Sequence, residues 1–172
     1  PLDIRNEDMV EGGRLDWTEA ELNSPQLVPF FHVFGLQKAH YPHKVPREYF
    51  ELYNPEEVEL TAIDPADIDD LSDYARSFIV PNYLLNAFNY KKLKEAVVAY
   101  LAATSYVDAV IGRLMNILNS TPYRDNTVVV CFSDHGLHTG EKNHFKKKTL
   151  WEPSTHVPLI ISAPGVSLPG GV

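Results

Sequence analysis

The chain has 172 residues, of which 44% are hydrophobic, and its formal net charge is -8 at pH 7. This length is enough for one sizeable core, so we expect a single domain or a large piece of one. The acidic balance excludes nucleic acid as a partner, because a phosphate backbone requires a basic surface. We find no targeting signal, and apolar runs such as 159–163 are too short to cross a bilayer, which predicts no membrane partner. The single cysteine, Cys131, excludes an internal disulfide.

The first 90 residues predict two short helices and one core strand. A helical pattern runs over residues 16–22, and a second short helix is expected near 47–53. An apolar-rich run at 30–36 is typical of a core strand, and it is followed by a loop, 37–46, whose two prolines exclude regular structure. The rest of this half is acidic, and we interpret it as irregular.

The second half predicts a long helix followed by two strands. Residues 127–132 and 158–163 are short, β-branched apolar runs typical of buried strands. Over residues 91–119, apolar side chains recur at spacings of three and four, which predicts one stripe packed against a sheet. The stripe consists of Leu93, Val97, Tyr100, Leu101, Thr104, Val107, Ile111, Leu114 and Leu118.

This order of elements predicts an α/β fold with a largely parallel sheet flanked by helices, because its strands are continuously apolar. In such folds ligands bind beyond the carboxyl ends of strands. The polar loops 37–46 and 133–150 both leave such ends, so we expect them to converge on one site. Four lysines cluster in the second loop, which predicts a small anionic ligand on an otherwise acidic protein. They are Lys142, Lys146, Lys147 and Lys148.

The motif Asp134-His135-Gly136 directly follows a predicted strand. Its carboxylate and imidazole can bind one cation if the backbone turns sharply, which glycine permits. Two ligands are too few to hold a metal, so others must come from elsewhere. The alternative is that Asp134 caps the next turn and His135 is solvated beside it.

Other polar residues in the two loops have two interpretations each. His40 can donate a proton or hydrogen-bond an anion, or it is an exposed loop histidine. Lys147 can pair with a sulfate or phosphate oxygen, or it belongs to a solvated lysine face. His138, Glu141 and His144 are expected to be surface residues or local hydrogen-bonding partners.

Three segments in order carry a family resemblance: "PFFHVFGLQKAHYP", "YLAATSYVDAVIGRLMNIL" and "NTVVVCFSDHGLHTGEKNHFKKKTLWEPSTHVPLIISAPG". Together they closely resemble the later half of the catalytic domain of type I sulfatases, which belong to the alkaline phosphatase superfamily. Within that family the segments look most like the bacterial relatives of iduronate-2-sulfatase. The resemblance covers residues 16–169 and implies an alkaline-phosphatase-like sulfatase domain.

The resemblance also implies roles for site residues. Asp134 and His135 match the family's late pair of metal ligands, for Ca²⁺ or alternatively Mg²⁺. Lys147, thirteen residues after Asp134, matches the lysine that contacts the substrate sulfate. His40 in "AHYP" matches the histidine that contacts sulfate and protonates the leaving alcohol. Lys147 and His40 are thus the predicted catalytic residues, and the predicted substrate-binding residues are Lys38, His138 and His144.

The family's nucleophile is a formylglycine made from the cysteine of a Cys-x-Pro-x-Arg motif. Cys131 is followed by Phe-Ser-Asp, so it is not that residue. We therefore expect residues 1–172 to be a partial sulfatase catalytic domain without the upstream nucleophile segment and the C-terminal subdomain. The expected partner is the remainder of the same protein, and the isolated chain is predicted to be inactive.

The resemblance implies hydrolysis of a sulfate ester, such as that of a sulfated sugar, and a periplasmic, secreted or lysosome-like location. One alternative is another hydrolase of the alkaline phosphatase superfamily, such as a phosphatase or phosphonate hydrolase. A second alternative is a non-catalytic anion-binding fragment.

Overall fold

The computed structural model describes residues 14–16, 18–24, 29–62, 64, 66–79 and 90–167. The chain divides into two compact units. The first unit comprises Pro1–Tyr53, Ala99–Val128 and Ala163–Val172, and the second comprises Asn54–Val98 and Val129–Ser162. The predicted site residues are therefore distributed over both units.

Helices form the first unit. Residues 14–16 and 18–23 are helical (α1), α2 spans Arg47–Phe50, and the long helix α4, Tyr90–Asn119, contributes its residues from 99 onward. The buried core of this unit consists of Leu15, Val45, Ala102, Ala103, Tyr106 and Val110. Tyr53 and Ser105 join their hydroxyl oxygens at 2.6 Å, which ties the end of the α2 segment to α4. All three helices were predicted from the sequence at these places.

The buried face of α4 differs from the predicted stripe. Leu93 and Leu118 are buried as predicted, whereas Thr104 is exposed. Ala102 and Ala103, which lie outside the predicted stripe, are completely buried. Because alanine has only a methyl side chain, neighbouring segments can approach the helix most closely there, and tertiary packing overrides the simple apolar pattern.

Residues Lys91–Asn119 are also long and apolar enough to cross a membrane, by length and composition. A core helix passes the same test, and Ala102, Ala103, Tyr106 and Val110 of α4 are part of the first unit's core. The absence of a membrane partner stays a prediction.

The predicted core strand at 30–36 is wrong, because residues 29–37 form neither strand nor helix. Phe31 and Val33 are exposed, while Phe34 and Leu36 pack against the first unit's core. Two alternate side chains at the end of the segment are thus partly buried, but the segment pairs with no strand among the described residues. An apolar run alone cannot supply the backbone partner that a strand needs.

The second unit contains the remaining elements. They are a 3₁₀ turn at Pro55–Glu57, α3 at Asp73–Phe78, the beginning of α4, β1 at Val129–Phe132, β2 at His138–Thr139, a 3₁₀ turn at Glu141–Asn143, β3 at Phe145–Lys146, α5 at Glu152–Thr155 and β4 at Leu159–Ser162. The sequence interpretation missed α3. Its signal is Ser72, whose hydroxyl accepts a hydrogen bond from the Ala75 N–H as an N-cap.

Both described sheets are two-stranded and antiparallel. β1 pairs with β4, with Val129 opposite Ser162 and Phe132 opposite Leu159, and β2 pairs with β3. The strands β1 and β4 were predicted correctly in position, but the predicted parallel sheet is not confirmed among the described residues.

The two longer strands are also less buried than predicted. All four residues of β4 are exposed, and Val130 and Phe132 of β1 are exposed by 50% and 69%. The prediction assumed that continuous apolar runs are covered on both faces. Within the described part of the chain, that cover is incomplete.

Candidate functional site

The Asp-His-Gly turn is held at the end of β1 by backbone hydrogen bonds. The Gly136 N–H donates to the Ser154 carbonyl of α5 at 2.8 Å. A Cβ atom on Gly136 would lie 2.1 Å from the Pro153 carbonyl oxygen, which is far inside van der Waals contact. Glycine is therefore required here for close approach of two backbones. The turn that carries Asp134 and His135 is fixed against α5.

The His135 ring has a defined tautomer. Its Nδ1 lies 2.8 Å from the Gly136 carbonyl oxygen, which can only accept, so Nδ1 carries the proton and donates. Nε2 is then the acceptor, and the Lys147 ammonium donates to it at 2.7 Å. The Asp134 carboxylate, largely exposed, lies 3.6 Å from the same Nε2. The His135 Nε2 is thus close to both a positively charged ammonium and a negatively charged carboxylate.

The Asp134 and His135 donor atoms fit a shared cation. Ligand bonds of about 2.0–2.6 Å to one ion leave two donor atoms at separations close to the 3.6 Å between the Asp134 carboxylate oxygen and the His135 Nε2. The hydrogen bond from Nδ1 to a backbone carbonyl is the arrangement that fixes metal-binding histidines with Nε2 toward the ion. Among the described residues, no group of three or more His, Cys, Asp or Glu side chains could hold a metal. Further ligands would have to lie outside the described set.

Of the three consecutive lysines at 146–148, only Lys147 points toward His135, and the backbone conformation accounts for this. Lys146 and Lys148 have φ angles of 116° and 76°, in the region that residues with a Cβ avoid. Both side chains are exposed, while Lys147 between them is half-buried and reaches His135. The run is therefore not a uniform solvated face, and the sequence spacing alone did not say which lysine points inward.

His138 and His144 lie behind this lysine and are completely buried. The His138 Nδ1 faces the Glu141 carbonyl at 3.1 Å, and the His144 Nε2 faces the Lys147 carbonyl at 2.9 Å, so both nitrogens donate. The two rings pack edge to face with centroids 5.0 Å apart. Desolvation lowers the pKa of His138 below 6.5, although the hydrogen bond to Glu141 acts in the opposite direction. A neutral, structural imidazole results.

Glu141 and Lys142 anchor the same loop to distant parts of the second unit. The Glu141 carboxylate accepts from the Thr139 N–H at 2.7 Å and from the Thr61 hydroxyl at 3.1 Å. Burial raises the pKa of Glu141, but these hydrogen bonds outweigh it, and the pKa lies below its ordinary value. Lys142 forms an ion pair with Asp67 and is therefore engaged away from the Asp134-His135 turn.

A cavity of about 520 Å³ opens at this point of the second unit. Its lining residues are Asp134, His135, Lys147, Lys148, Thr149, Ser154 and Thr155. Its charged lining residues are two lysines and one aspartate, so the cavity suits an anion. The hydroxyl groups add neutral hydrogen-bond donors.

The loop of the first unit carries the other predicted residues. His40 is exposed, and its Nδ1–H donates to the Tyr41 carbonyl, which leaves Nε2 as the acceptor nitrogen. Lys38 is half-buried and precedes a cis peptide bond to Ala39. In the same loop, desolvation lowers the pKa of His43. The predicted convergence of this loop with the site of the second unit stays a prediction.

A family model described as Sulfatase matches residues 15–170. The chain belongs to the sulfatase family. A sulfatase from Formosa agariphila is 34% identical over 169 residues, which covers 95% of this chain and 32% of that relative. Human iduronate 2-sulfatase is 32% identical over 158 residues, which covers 82% of this chain and 28% of that protein.

Among solved structures, a phosphonate monoester hydrolase from Silicibacter pomeroyi superposes with a TM-score of 0.76 at 25% identity, covering 90% of this chain and 33% of that one. This similarity confirms the alkaline-phosphatase-like fold class. The sulfatase chain spans about a third of the length of these relatives, as the shares of 32%, 28% and 33% show.

In this sulfatase chain, the predicted residues fall into three groups. Asp134, His135 and Lys147 meet in one cavity of the second unit, and Lys38 and His40 lie on the loop of the first unit. The predicted substrate contacts His138 and His144 are fully buried and bond to backbone carbonyls. This geometry offers them no route to a substrate and agrees with the other interpretation, that of local hydrogen-bonding partners.

Proposed function

We propose that the chain is the later portion of a sulfatase catalytic domain and that it binds the sulfate group of a sulfate ester. The observation that carries the proposal is the Lys147 ammonium, 2.7 Å from the His135 Nε2. With Asp134 and Lys148 it lines one cavity in which positive charge predominates. Iduronate 2-sulfatase among the relatives suggests a sulfated sugar as the substrate class. An exported location belongs to the same proposal.

Asp134 and His135 are the residues that would hold a divalent cation. Because the His135 Nε2 has a single lone pair, the Lys147 ammonium that donates to it in this structure would release it when the ion binds and turn to the sulfate. Ca²⁺ is the first candidate and Mg²⁺ the alternative, because one ligand is a carboxylate oxygen. Such an ion would neutralise charge on the sulfuryl oxygens. Lys147 would hold a further sulfate oxygen by a charge-assisted hydrogen bond, and Lys148 would add to the local positive potential.

His40 would serve the leaving group. With the Nδ1 proton bonded to the Tyr41 carbonyl, Nε2 would first take up a proton and would then deliver it to the departing alcohol oxygen. Lys38 on the same loop would add positive charge near the substrate. The formylglycine nucleophile that the family uses would come from the rest of the protein, so we expect no turnover of 4-nitrophenyl sulfate by the 172-residue chain alone.

Calorimetric titration of the chain with sodium sulfate, with and without Ca²⁺, tests the proposal. Replacing Lys147→Met should raise the sulfate Kd about tenfold, because a charge-assisted hydrogen bond is lost. Lys146→Met, the matched control with an exposed neighbouring lysine, should change it by no more than about twofold. Asp134→Asn should abolish the effect of Ca²⁺. Equal Kd values for the two lysine variants would contradict the role of Lys147.

A second candidate is a phosphate or phosphonate ester hydrolase, which the superposition on the phosphonate monoester hydrolase favours. The relatives at 34% and 32% identity are sulfatases, which favours sulfate. Titration with methylphosphonate under the same conditions separates the two. Tighter binding of methylphosphonate than of sulfate would favour the second candidate, and binding of neither would favour an inert fragment.

A further inference from the structure

We propose that His138 and His144 are positioning residues that hold the main chain of Lys147 so that its ammonium reaches the Asp134-His135 corner. What Lys147 binds there rests on the proposed function, but the positioning itself does not. Both histidines are completely buried, so they act through the loop and not on a ligand.

His144 acts on the lysine directly. Its Nε2–H donates to the Lys147 carbonyl at 2.9 Å, and its own N–H donates to the Glu141 carbonyl at 3.0 Å. The peptide plane that it fixes joins Lys147 to Lys148, and the φ angles on the two sides of Lys147 are 116° at Lys146 and 76° at Lys148. Such angles are unfavourable for residues with a Cβ and persist only when surrounding contacts impose them. A buried hydrogen bond at the central carbonyl is such a contact.

His138 bridges Glu141 and Thr149, and Thr149 in turn contacts Ser154 of α5. Its Nδ1–H donates to the Glu141 carbonyl, so the neutral ring presents Nε2 as an acceptor to the Thr149 hydroxyl, 2.8 Å away. The Thr149 oxygen is 2.9 Å from the Ser154 hydroxyl. The Thr149 hydroxyl lies within hydrogen-bonding distance of both the His138 Nε2 and the Ser154 hydroxyl, and it donates its one proton to one of them at a time.

The series ends at the site itself. The Ser154 carbonyl accepts from the Gly136 N–H at 2.8 Å, and Gly136 follows His135 in the chain. The segment carrying Lys147 and the turn carrying His135 are therefore fastened to the same residue of α5. This common support fixes the main chain of Lys147 relative to the turn that carries His135, which keeps the lysine ammonium within reach of the imidazole.

Nuclear magnetic resonance on the full 172-residue chain tests the positioning. The wild type should show a nuclear Overhauser effect between the His135 Hε1 and the Lys147 Hε protons, because the two side chains meet at 2.7 Å. His144→Leu should lose that signal and raise the Kd of inorganic sulfate about tenfold. His144→Gln keeps a side-chain N–H donor and should retain the signal and a Kd within about twofold of wild type.

His156→Gln is the matched control, because the His156 side chain is 84% exposed and pairs only loosely with Glu152 at 3.6 Å. It should leave the signal and the Kd unchanged. A role in stability alone would lower the unfolding midpoint of His144→Leu without changing the Overhauser effect or the Kd of the folded protein. That result would overturn the proposal.

Two further outcomes are decisive. If wild type shows the Overhauser effect but no sulfate affinity, the proposed function fails and the positioning role is judged on the Overhauser effect alone. If His144→Leu does not fold, Thr149→Val replaces it, because it removes one hydroxyl at nearly constant volume. A folded Thr149→Val chain with an unchanged Overhauser effect would overturn the role of the His138 series.

Discussion

Replacing Gly136→Ala should strongly destabilise the second unit. The new Cβ would lie 2.1 Å from the Pro153 carbonyl oxygen and 3.0 Å from the Pro153 carbonyl carbon. Ordinary contacts of this kind exceed 3 Å, so the two backbones would have to separate by about 1 Å. The Gly136 N–H bond to the Ser154 carbonyl, now 2.8 Å, would lengthen beyond hydrogen-bonding distance.

The size of the effect follows from these two losses. Overpacking of a fixed backbone costs about 1–3 kcal/mol, and the lost hydrogen bond adds about 1 kcal/mol, which gives about 2–4 kcal/mol in the free energy of unfolding. Urea unfolding followed by circular dichroism measures it, with the m-value as a check that the transition keeps its character.

Gly112→Ala is the matched control. Gly112 lies within α4 and a Cβ there meets nothing within 4 Å, so alanine should stabilise the helix by about 0.5–1 kcal/mol. The same substitution is thus expected to have opposite signs at the two positions. A Gly136→Ala chain as stable as wild type would refute the close packing of the turn against α5.

Two further predictions concern the same loop. The thermal midpoint should fall below pH 6.5, because the lowered pKa values of His138 and His43 make the unfolded state bind more protons there, and it should fall again below pH 4.5 as the lowered pKa of Glu141 is approached. His138→Gln should reduce the first decline, leave the contribution of His43 to it, and not change the second; a midpoint constant from pH 7 to 5 would contradict this. The Lys146→Gly chain should have a free energy of unfolding about 1–2 kcal/mol higher than the Lys146→Ala chain, because φ at residue 146 is 116° and only glycine adopts that angle freely. Equal urea midpoints for the two chains would argue against that backbone conformation.

The sequence predicted the positions of elements better than their environments. The pattern in residues 91–119 was sufficient to place α4, which spans Tyr90–Asn119, because a long periodic segment has few alternatives. The same pattern did not identify Ala102 and Ala103 as the buried face. Burial depends on which segments approach the helix, and a local apolar pattern contains no information about distant segments.

The site shows the same limit. The Asp134-His135-Gly136 motif was apparent because a sharp turn after a strand requires glycine. The anchors Thr61 and Asp67 were not, because they lie 80 and 75 residues from their partners in an irregular acidic segment. Which lysine faces inward was also hidden, since it depends on backbone angles that three identical letters do not encode.

The two-stranded ribbon of β1 and β4 ends next to the turn that carries Asp134 and His135. Within the described residues β1 pairs with β4 alone, and Leu159, Ile160 and Ile161 of β4 are exposed by 54–66%. A strand that pairs along the other edge of β1 lies about 4.8 Å away and, if parallel, ends beside Asp134. Its last residues would then stand next to the carboxylate and imidazole of the turn. Completing the sheet and supplying further ligands to a cation would thus be a single event.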